Sequence, residues 1–143
     1  MKARVKPSLR DVFAASKRIG ARFADQAHIS SRLAVTLIED AVKDTYPDTP
    51  FRGEGRPVPT VDDCLDGLTT VQDAREEIDV VELRMMHHAR YRLGASWQRI
   101  GTALGYPAAT AATAAAARYR KLRTENPGTK LDPGTNQEGH DQQ

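Results

Sequence analysis

The sequence predicts an all-α fold, and three observations support this prediction. Apolar residues recur mostly at steps of three and four positions, as the buried face of a helix requires. Residues that cap helices precede several of these runs, and glycine or proline follows them. No segment alternates apolar and polar residues in the way that a half-buried strand does.

Residues 1–45 form the first predicted region. Ser8 is suited to cap a helix, with Asp11 in the first turn, and Ser30 and Ser31 are suited to cap a second one. Whether residues 8–45 form one helix or two stays open. The predicted apolar stripes are Leu9, Val12, Phe13, Ile19, Phe23 and Ala27, followed by Leu33 or Ala34, Leu37, Ile38, Ala41 and Val42.

A loop or linker is predicted over residues 46–60, which contain four prolines and two glycines. Thr60 then caps an acidic helix start, and a longer helix runs from Thr69 or Thr70 to Leu93, where Gly94 ends it. Its predicted buried stripe is Val71, Ala74, Ile78, Val81, Met85 and either His88 or Ala89.

The segment from Ser96 to Leu122 has the element order of a helix-turn-helix. Ser96 caps a short helix, Gly105 makes a tight turn, and Pro107 opens a final helix that continues to Arg123. We expect Trp97, Ile100 and Leu104 to pack against Met85 and His88. The final helix turns inward Ala108, Ala111 or Ala112, Ala115, Tyr119 and Leu122, and outward Thr110, Thr113, Ala117, Arg120 and Lys121.

The formal net charge of +2 hides two blocks of opposite sign. Residues 61–80 contain seven acids and one base, whereas residues 81–123 contain eight bases and one acid. A basic block in a nearly neutral protein is typical of a surface that binds phosphates. The sequence therefore predicts binding to double-stranded DNA by residues 61–123.

The predicted DNA contacts fall into two kinds. Thr110 and Thr113 are the candidates for base contact, because their methyl and hydroxyl groups suit base edges. The outward face lacks Gln, Asn and Arg in its first two turns, which predicts modest base readout. The candidate phosphate ligands and their neighbours are Arg90, Arg92, Ser96, Gln98, Arg99, Arg118, Arg120, Lys121 and Arg123, and Lys17, Arg18 and Arg22 are possible additions.

The run Gly94-Ala95-Ser96-Trp97-Gln98-Arg99-Ile100-Gly101-Thr102-Ala103-Leu104-Gly105, with Arg118-Tyr119 beyond it, resembles helix-turn-helix proteins that are abundant in actinobacteria. It is also similar to region four of sigma factors. The resemblance covers about residues 68–123 and implies DNA docking in the major groove by a transcriptional regulator or nucleoid-associated protein. The family usually begins its recognition helix with Ser-Arg-Gln-Ala-Ala, where this chain has Pro107-Ala108-Ala109-Thr110-Ala111-Ala112.

Several further expectations concern partners and chemistry. We expect no cofactor, no metal site and no enzymatic activity, because the sequence shows no nucleophile–base pair and Cys64 is the only cysteine.

We expect a cytoplasmic homodimer, since helix-turn-helix proteins commonly bind as dimers. The stripe with Phe13, Ile19 and Phe23 forms the dimer interface or packs on the chain's own C-terminal half. Residues 124–143 are predicted to be disordered. The alternative function is a protein-interaction module, an adaptor or inhibitor that docks through the N-terminal stripe and the acidic residues from Asp62 to Asp79.

Overall fold

The computed structural model describes residues 4–48 and 55–131, and all regular structure in these residues is helical. This confirms the all-α prediction for the described part of the chain. The elements are α1 (Leu9–Phe23), α2 (Ser31–Lys43), α3 (Val61–His87), a π-helical segment (His88–Arg92), α4 (Trp97–Ala103) and α5 (Ala111–Glu125). The chain divides into two compact units, Met1–Ile78 and Asp79–Gln143, which are described separately. Among these helices, none combines the length and the apolar character that spanning a membrane requires.

In the first unit, the N-terminal region contains two helices rather than one. Ser8 caps α1, since its side-chain oxygen accepts a hydrogen bond from the backbone N–H of Asp11 at 3.1 Å. Ser30 caps α2 in the same way through the N–H of Leu33 at 3.1 Å. Between them Asp25 adopts a positive φ of 51°, a left-handed conformation that does not continue α1. Both predicted caps are therefore confirmed.

The buried face of α1 is rotated from the predicted stripe. Ile19 packs with Ala34 and Ile38 of α2, but Leu9 and Phe13 are 73% and 57% exposed. Ala27 lies beyond the end of the helix. The helix instead buries small residues beside Val12 and Ile19, namely Ala15, Ser16 and Gly20. The prediction is confirmed for Val12 and Ile19 and was wrong for Leu9, Phe13 and Ala27, because it followed the largest apolar side chains and missed the small ones that this face buries.

The acidic start at Thr60 and the longer helix after it form one helix, α3. The Thr60 hydroxyl accepts from the N–H of Asp63 at 3.1 Å, and the Asp63 carboxylate accepts from the N–H of Thr60 at 2.8 Å. This reciprocal pair satisfies two otherwise unpaired donors at the helix start. The helix continues through Gly67. A Cβ at this position would lie only 3.2 Å from the Ile38 side chain, so glycine lets α2 pack closely against α3.

In the second unit, the final turns of α3 bury a different face from the one predicted. Leu83, Met86 and His87 are at most 8% exposed, whereas Met85 is 62% exposed. Because Met85-Met86 and His87-His88 are adjacent pairs, the helical spacing fits a buried face with either member of each pair. Contacts with Ile100, Tyr119 and Leu122 select the face that contains Met86. Ile78, assigned to the same predicted stripe, is 53% exposed. Gly94 has a positive φ of 72°, as predicted for the residue that follows the helix.

The helices α4 and α5 begin and end mostly as predicted, with one correction. Ser96 caps α4 by accepting from the N–H of Arg99 at 3.1 Å, and Gly105 turns the chain with a φ of 92°. Pro107 does not open α5, however. The N–H of Thr110 donates to the carbonyl of Pro107 at 3.0 Å, which closes a separate turn, and α5 begins at Ala111. The fixed φ of proline suits such a turn as well as a helix start.

The last predicted segment, residues 124–143, lies mostly outside the described residues. Its first two residues belong to α5, which ends at Glu125. Residues 126–131 are described without regular structure, and the side chain of Asn126 donates to the carbonyl of Leu122 at 2.9 Å. The prediction of disorder for the remainder concerns residues outside the described range.

Candidate nucleic-acid interface

A close contact between α4 and the start of α5 fixes the geometry of the candidate interface. A Cβ built on Gly101 would lie 2.1 Å from the carbonyl oxygen of Ala111, so only glycine fits at this position. The N–H of Tyr106 donates to the carbonyl of Gly101 at 3.0 Å, and the side chain of Gln98 donates to the carbonyl of Ala108 at 3.0 Å. These contacts hold the connecting turn against α4.

A partly buried aromatic cluster connects the end of α3 to α4 and α5. The rings of Tyr91, Trp97 and Tyr119 lie within 6.3 Å of each other, centroid to centroid. His87 joins them, and its Nδ1 lies 2.7 Å from the hydroxyl oxygen of Tyr119. This hydrogen bond was not predicted from the sequence, because residues 32 positions apart share no local signal.

The inner face of α5 packs on the same core. Ala111, Ala115, Tyr119 and Leu122 are at most 4% exposed, which confirms four positions of the predicted stripe. Ala108, also predicted to face inward, is exposed because it precedes the helix. With this face buried, Thr110, Thr113, Ala117, Arg120 and Lys121 are all exposed, as expected for the outward face.

Arg118 has an internal role that corrects its assignment as a phosphate ligand. Its guanidinium donates to the carboxylate of Glu82 at 2.8 Å and to that of Asp79 at 3.4 Å. The hydrogen bond with Glu82, aided by the charges of both acids, raises the pKa of Arg118 above its ordinary value. Because two carboxylates already neutralise this guanidinium, it supports the attachment of α5 to α3 instead of an external ligand.

The other predicted contact residues divide by their surroundings. Ser96 caps α4, and Gln98 holds the turn, so the polar groups of both already bond to backbone. The guanidinium of Arg90 lies 5.3 Å from the Trp97 ring centroid, and its Nη1 donates to the carbonyl of Ala95 at 3.3 Å. The remaining bases have exposed side chains, and these are Arg92, Arg99, Arg120, Lys121 and Arg123.

Two of these exposed bases also contact α5 itself. The guanidinium of Arg123 lies 5.7 Å from the ring centroid of Tyr119. Lys121 is 4.0 Å from the carboxylate of Glu125, one turn further along the helix. Exposed pairs of this kind contribute little energy, so both cations stay available to an external anion.

Several acidic residues of the first unit are engaged within that unit. Asp66 receives two hydrogen bonds from Arg18 at 2.8 and 3.0 Å, and Asp63 receives one from Arg22 at 2.9 Å. The carboxylate of Glu77 caps α2 by accepting from the N–H groups of Ser31 and Arg32 at 3.0 and 2.9 Å, and Asp73 accepts from the Ser31 hydroxyl at 2.8 Å.

These pairs have two consequences for the predictions. Arg18 and Arg22 are used by Asp66 and Asp63, which removes them as additional phosphate ligands. The pKa of Arg18 is raised by its hydrogen bonds to Asp66. The acidic segment that the adaptor hypothesis offers as a docking face likewise has most of its carboxylates occupied.

Within the described residues, no group of three or more His, Cys, Asp or Glu side chains is arranged to hold a metal ion. Comparisons with family models, with curated proteins and with solved structures find no match for this chain. The candidate interface therefore depends on the geometry and charge described above.

Proposed function

We propose that α4 and α5 form a helix-turn-helix that docks on double-stranded DNA, with α5 in the major groove. The observation that carries this proposal is the outward face of α5. It presents Thr110, Thr113 and Ala117 to solvent without an acidic side chain among them, and Arg120 and Lys121 continue it. The resemblance of residues 94–105 to helix-turn-helix proteins supports the same assignment.

The charge distribution of the second unit supports phosphate binding. Residues 79–131 contain nine Lys or Arg residues and three Asp or Glu residues, a net charge of +6. Two of those acids, Asp79 and Glu82, are turned toward Arg118. The exposed bases are therefore opposed mainly by Glu125, and a phosphate backbone is the ligand that a surface of this kind attracts.

The outward face also suggests how the protein reads sequence. Bidentate recognition of guanine or adenine needs Arg, Lys, Asn or Gln at the base edges. Gln98 donates to the carbonyl of Ala108, and α5 carries no such side chain between Ala111 and Ala117. Thr110 and Thr113 can contact thymine methyl groups and accept or donate single hydrogen bonds. We therefore propose strong backbone binding with modest base preference, as in a regulator or a nucleoid-associated protein.

A titration of labelled random-sequence duplex DNA, followed by fluorescence anisotropy at several salt concentrations, tests the proposal. Four of the five exposed bases lie on α4 or α5, namely Arg99, Arg120, Lys121 and Arg123, and four phosphate contacts predict a slope of log K against log salt of about −3 to −4. Affinity should then fall about a hundredfold between about 50 mM and about 200 mM salt. No binding at the lower salt would contradict the proposal and favour the adaptor alternative.

A pair of matched variants locates the surface. Lys121→Gln should weaken binding to all sequences and make the salt slope shallower by about one unit. Arg10→Gln removes one positive charge from an exposed position on α1 and should leave the slope unchanged. Trp97 fluorescence checks that the second unit stays folded in both variants. If both substitutions change the slope equally, binding reflects net charge and the assigned surface is wrong.

Base contact is tested separately at Thr113. Thr113→Ser keeps the hydroxyl and removes the methyl group, whereas Thr113→Val keeps a methyl group and removes the hydroxyl. If thymine methyl contact contributes, the serine variant should lose the preference for thymine-containing duplexes over the same duplexes with uracil, and the valine variant should retain it. Equal behaviour of both variants and the wild type would refute a role for Thr113 in base contact.

A further inference from the structure

The outward face of α3 in the first unit is apolar over its first two turns. Val61, Leu65 and Leu68 are 76%, 53% and 67% exposed, and their spacing places them on one side of the helix. Val5, which is 92% exposed, lines the same groove as Leu68. Contiguous exposed apolar side chains of this size mark interaction surfaces in soluble proteins.

Leu68 lies between two grooves. The first, of about 260 Å³, separates α2 from α3 and is lined by Val35, Ile38, Val42, Cys64, Gly67 and Val71, with Glu39 as its charged residue. The second groove lies between α3 and the N-terminal segment, where Val5, Pro7 and Val71 contribute apolar atoms. A leucine from another helix that packs along α3 can enter either groove, as side chains do between packed helices.

Two opposite charges flank this apolar face. Asp62 and Arg75 are both exposed, and neither lies within 4.0 Å of an opposite charge among the described residues, although the charge of Asp62 contributes to the raised pKa of Arg18. In contrast, Asp63, Asp66, Glu76 and Glu77 each form an ion pair within the unit. Asp62 and Arg75 are equally far from the point between Leu68 and Thr69, about 10 Å along the helix in each direction.

We infer that this face of α3 is a homodimer interface, in which two copies of α3 pack antiparallel around a two-fold axis between Leu68 and Thr69. In that register Asp62 of one copy lies at the same height along the helix pair as Arg75 of the other, and Leu65 lies at the same height as Gln72. A parallel arrangement would place Asp62 against Asp62 and Arg75 against Arg75. The charge pattern thus favours a second copy of the chain, in one orientation, as the occupant.

This interface differs from the one that the sequence suggested. Ile19, in the predicted N-terminal stripe, is 1% exposed and packs on α2, so it is not available to a partner. The new face lies wholly within the first unit. It therefore leaves the proposed DNA-binding surface of the second unit unused, and it does not depend on the DNA-binding proposal.

Light scattering of the full chain, without DNA, tests the interface. At about 100 µM we expect a mass twice the monomer value of 15.7 kDa. Leu68→Lys should return the mass to the monomer value with unchanged helical circular dichroism. Leu93→Lys changes another exposed leucine, 72% exposed in the second unit, and should remain dimeric. A monomeric wild type, or a dimeric Leu68→Lys variant, would overturn the inference.

Charge exchange tests the antiparallel register. Asp62→Arg and Arg75→Asp should each raise the dimer dissociation constant about tenfold, because each replaces two attractive pairs by two repulsive ones. The double variant restores opposite charges and should dimerise nearly as well as the wild type. Additive weakening in the double variant would refute the register. Since these masses are measured without DNA, their failure is distinct from a failure of DNA binding.

Discussion

Gly101→Ala provides a direct test of the contact between α4 and α5. The new Cβ would lie 2.1 Å from the carbonyl oxygen of Ala111 and 2.5 Å from its carbon. A comfortable approach between such atoms is about 3.3 Å, so the two helices must separate by about 1 Å. Both obstructing atoms are backbone, so no side-chain rotation relieves the clash.

The free-energy change follows from two opposing effects. Overpacking costs about 1–3 kcal/mol, and the rigid backbone contact places this case at about 3 kcal/mol. Alanine recovers about 1 kcal/mol through its better helix propensity. We therefore expect a net loss of about 2 kcal/mol in the free energy of unfolding, which for a unit of this size lowers Tm by roughly 10 °C.

Trp97 is the single tryptophan, and it lies in the same core as Ile100 and Tyr119, so its fluorescence during thermal or urea unfolding reports on this unit. Gly67→Ala is the matched control. Its Cβ would meet the Ile38 side chain at 3.2 Å, a contact that a small shift relieves, and the Trp97 transition should move by less than about 0.5 kcal/mol. A Gly101→Ala variant as stable as the wild type would refute the described packing.

Substitutions at three further positions test local features of the structure. Burial alone would raise the pKa of Asp63, but hydrogen bonds from Thr60 and Arg22 outweigh it and lower the pKa below 3.8. The ionised form of Asp63 therefore stabilises the fold above pH 3.8, and this stabilisation is lost as the pH falls through the lowered pKa. In urea titrations, the free energy of unfolding of Asp63→Asn should decrease less with falling pH than that of the wild type. Arg118→Met leaves two carboxylates unpaired and should destabilise the second unit by about 1–3 kcal/mol, which Trp97 fluorescence reports; an unchanged midpoint would contradict the ion pair. Ser96→Ala should cost about 1 kcal/mol through the lost cap, whereas Ser96→Asp, which can still cap, should not.

Local chemistry explains which parts of the fold were predictable from sequence. The caps at Ser8, Ser30 and Ser96 and the left-handed glycines at 94 and 105 each depend on a few neighbouring residues, and the structure contains them all. Such features need no knowledge of distant contacts, because a cap satisfies donors three residues away and a left-handed turn depends on one φ angle.

The predictions that failed depend on contacts between distant residues. By helical spacing alone, Met85 and Met86 are about equally suited to face the core. Met86 is buried because it packs with Tyr119 and Leu122, which lie more than thirty residues away in the sequence. The partner of Arg118 lies 36 residues earlier, so its charge was counted as external when it is internal. Net charge in a window identifies a basic surface, but it does not show which bases are already neutralised.

The π-helical segment from His88 to Arg92 has a consequence for chain length. The N–H of Leu93 donates to the carbonyl of His88 at 3.1 Å, five positions back, so the last turn of this long helix holds one residue more than an α-turn does. Deleting one residue here would leave an ordinary α-helix but would rotate the chain after it by about 100° relative to the turns before it. Tyr91 and Trp97 would then meet Tyr119 from different directions. At this point in the chain, the number of residues is as much a requirement of the aromatic cluster as their identity.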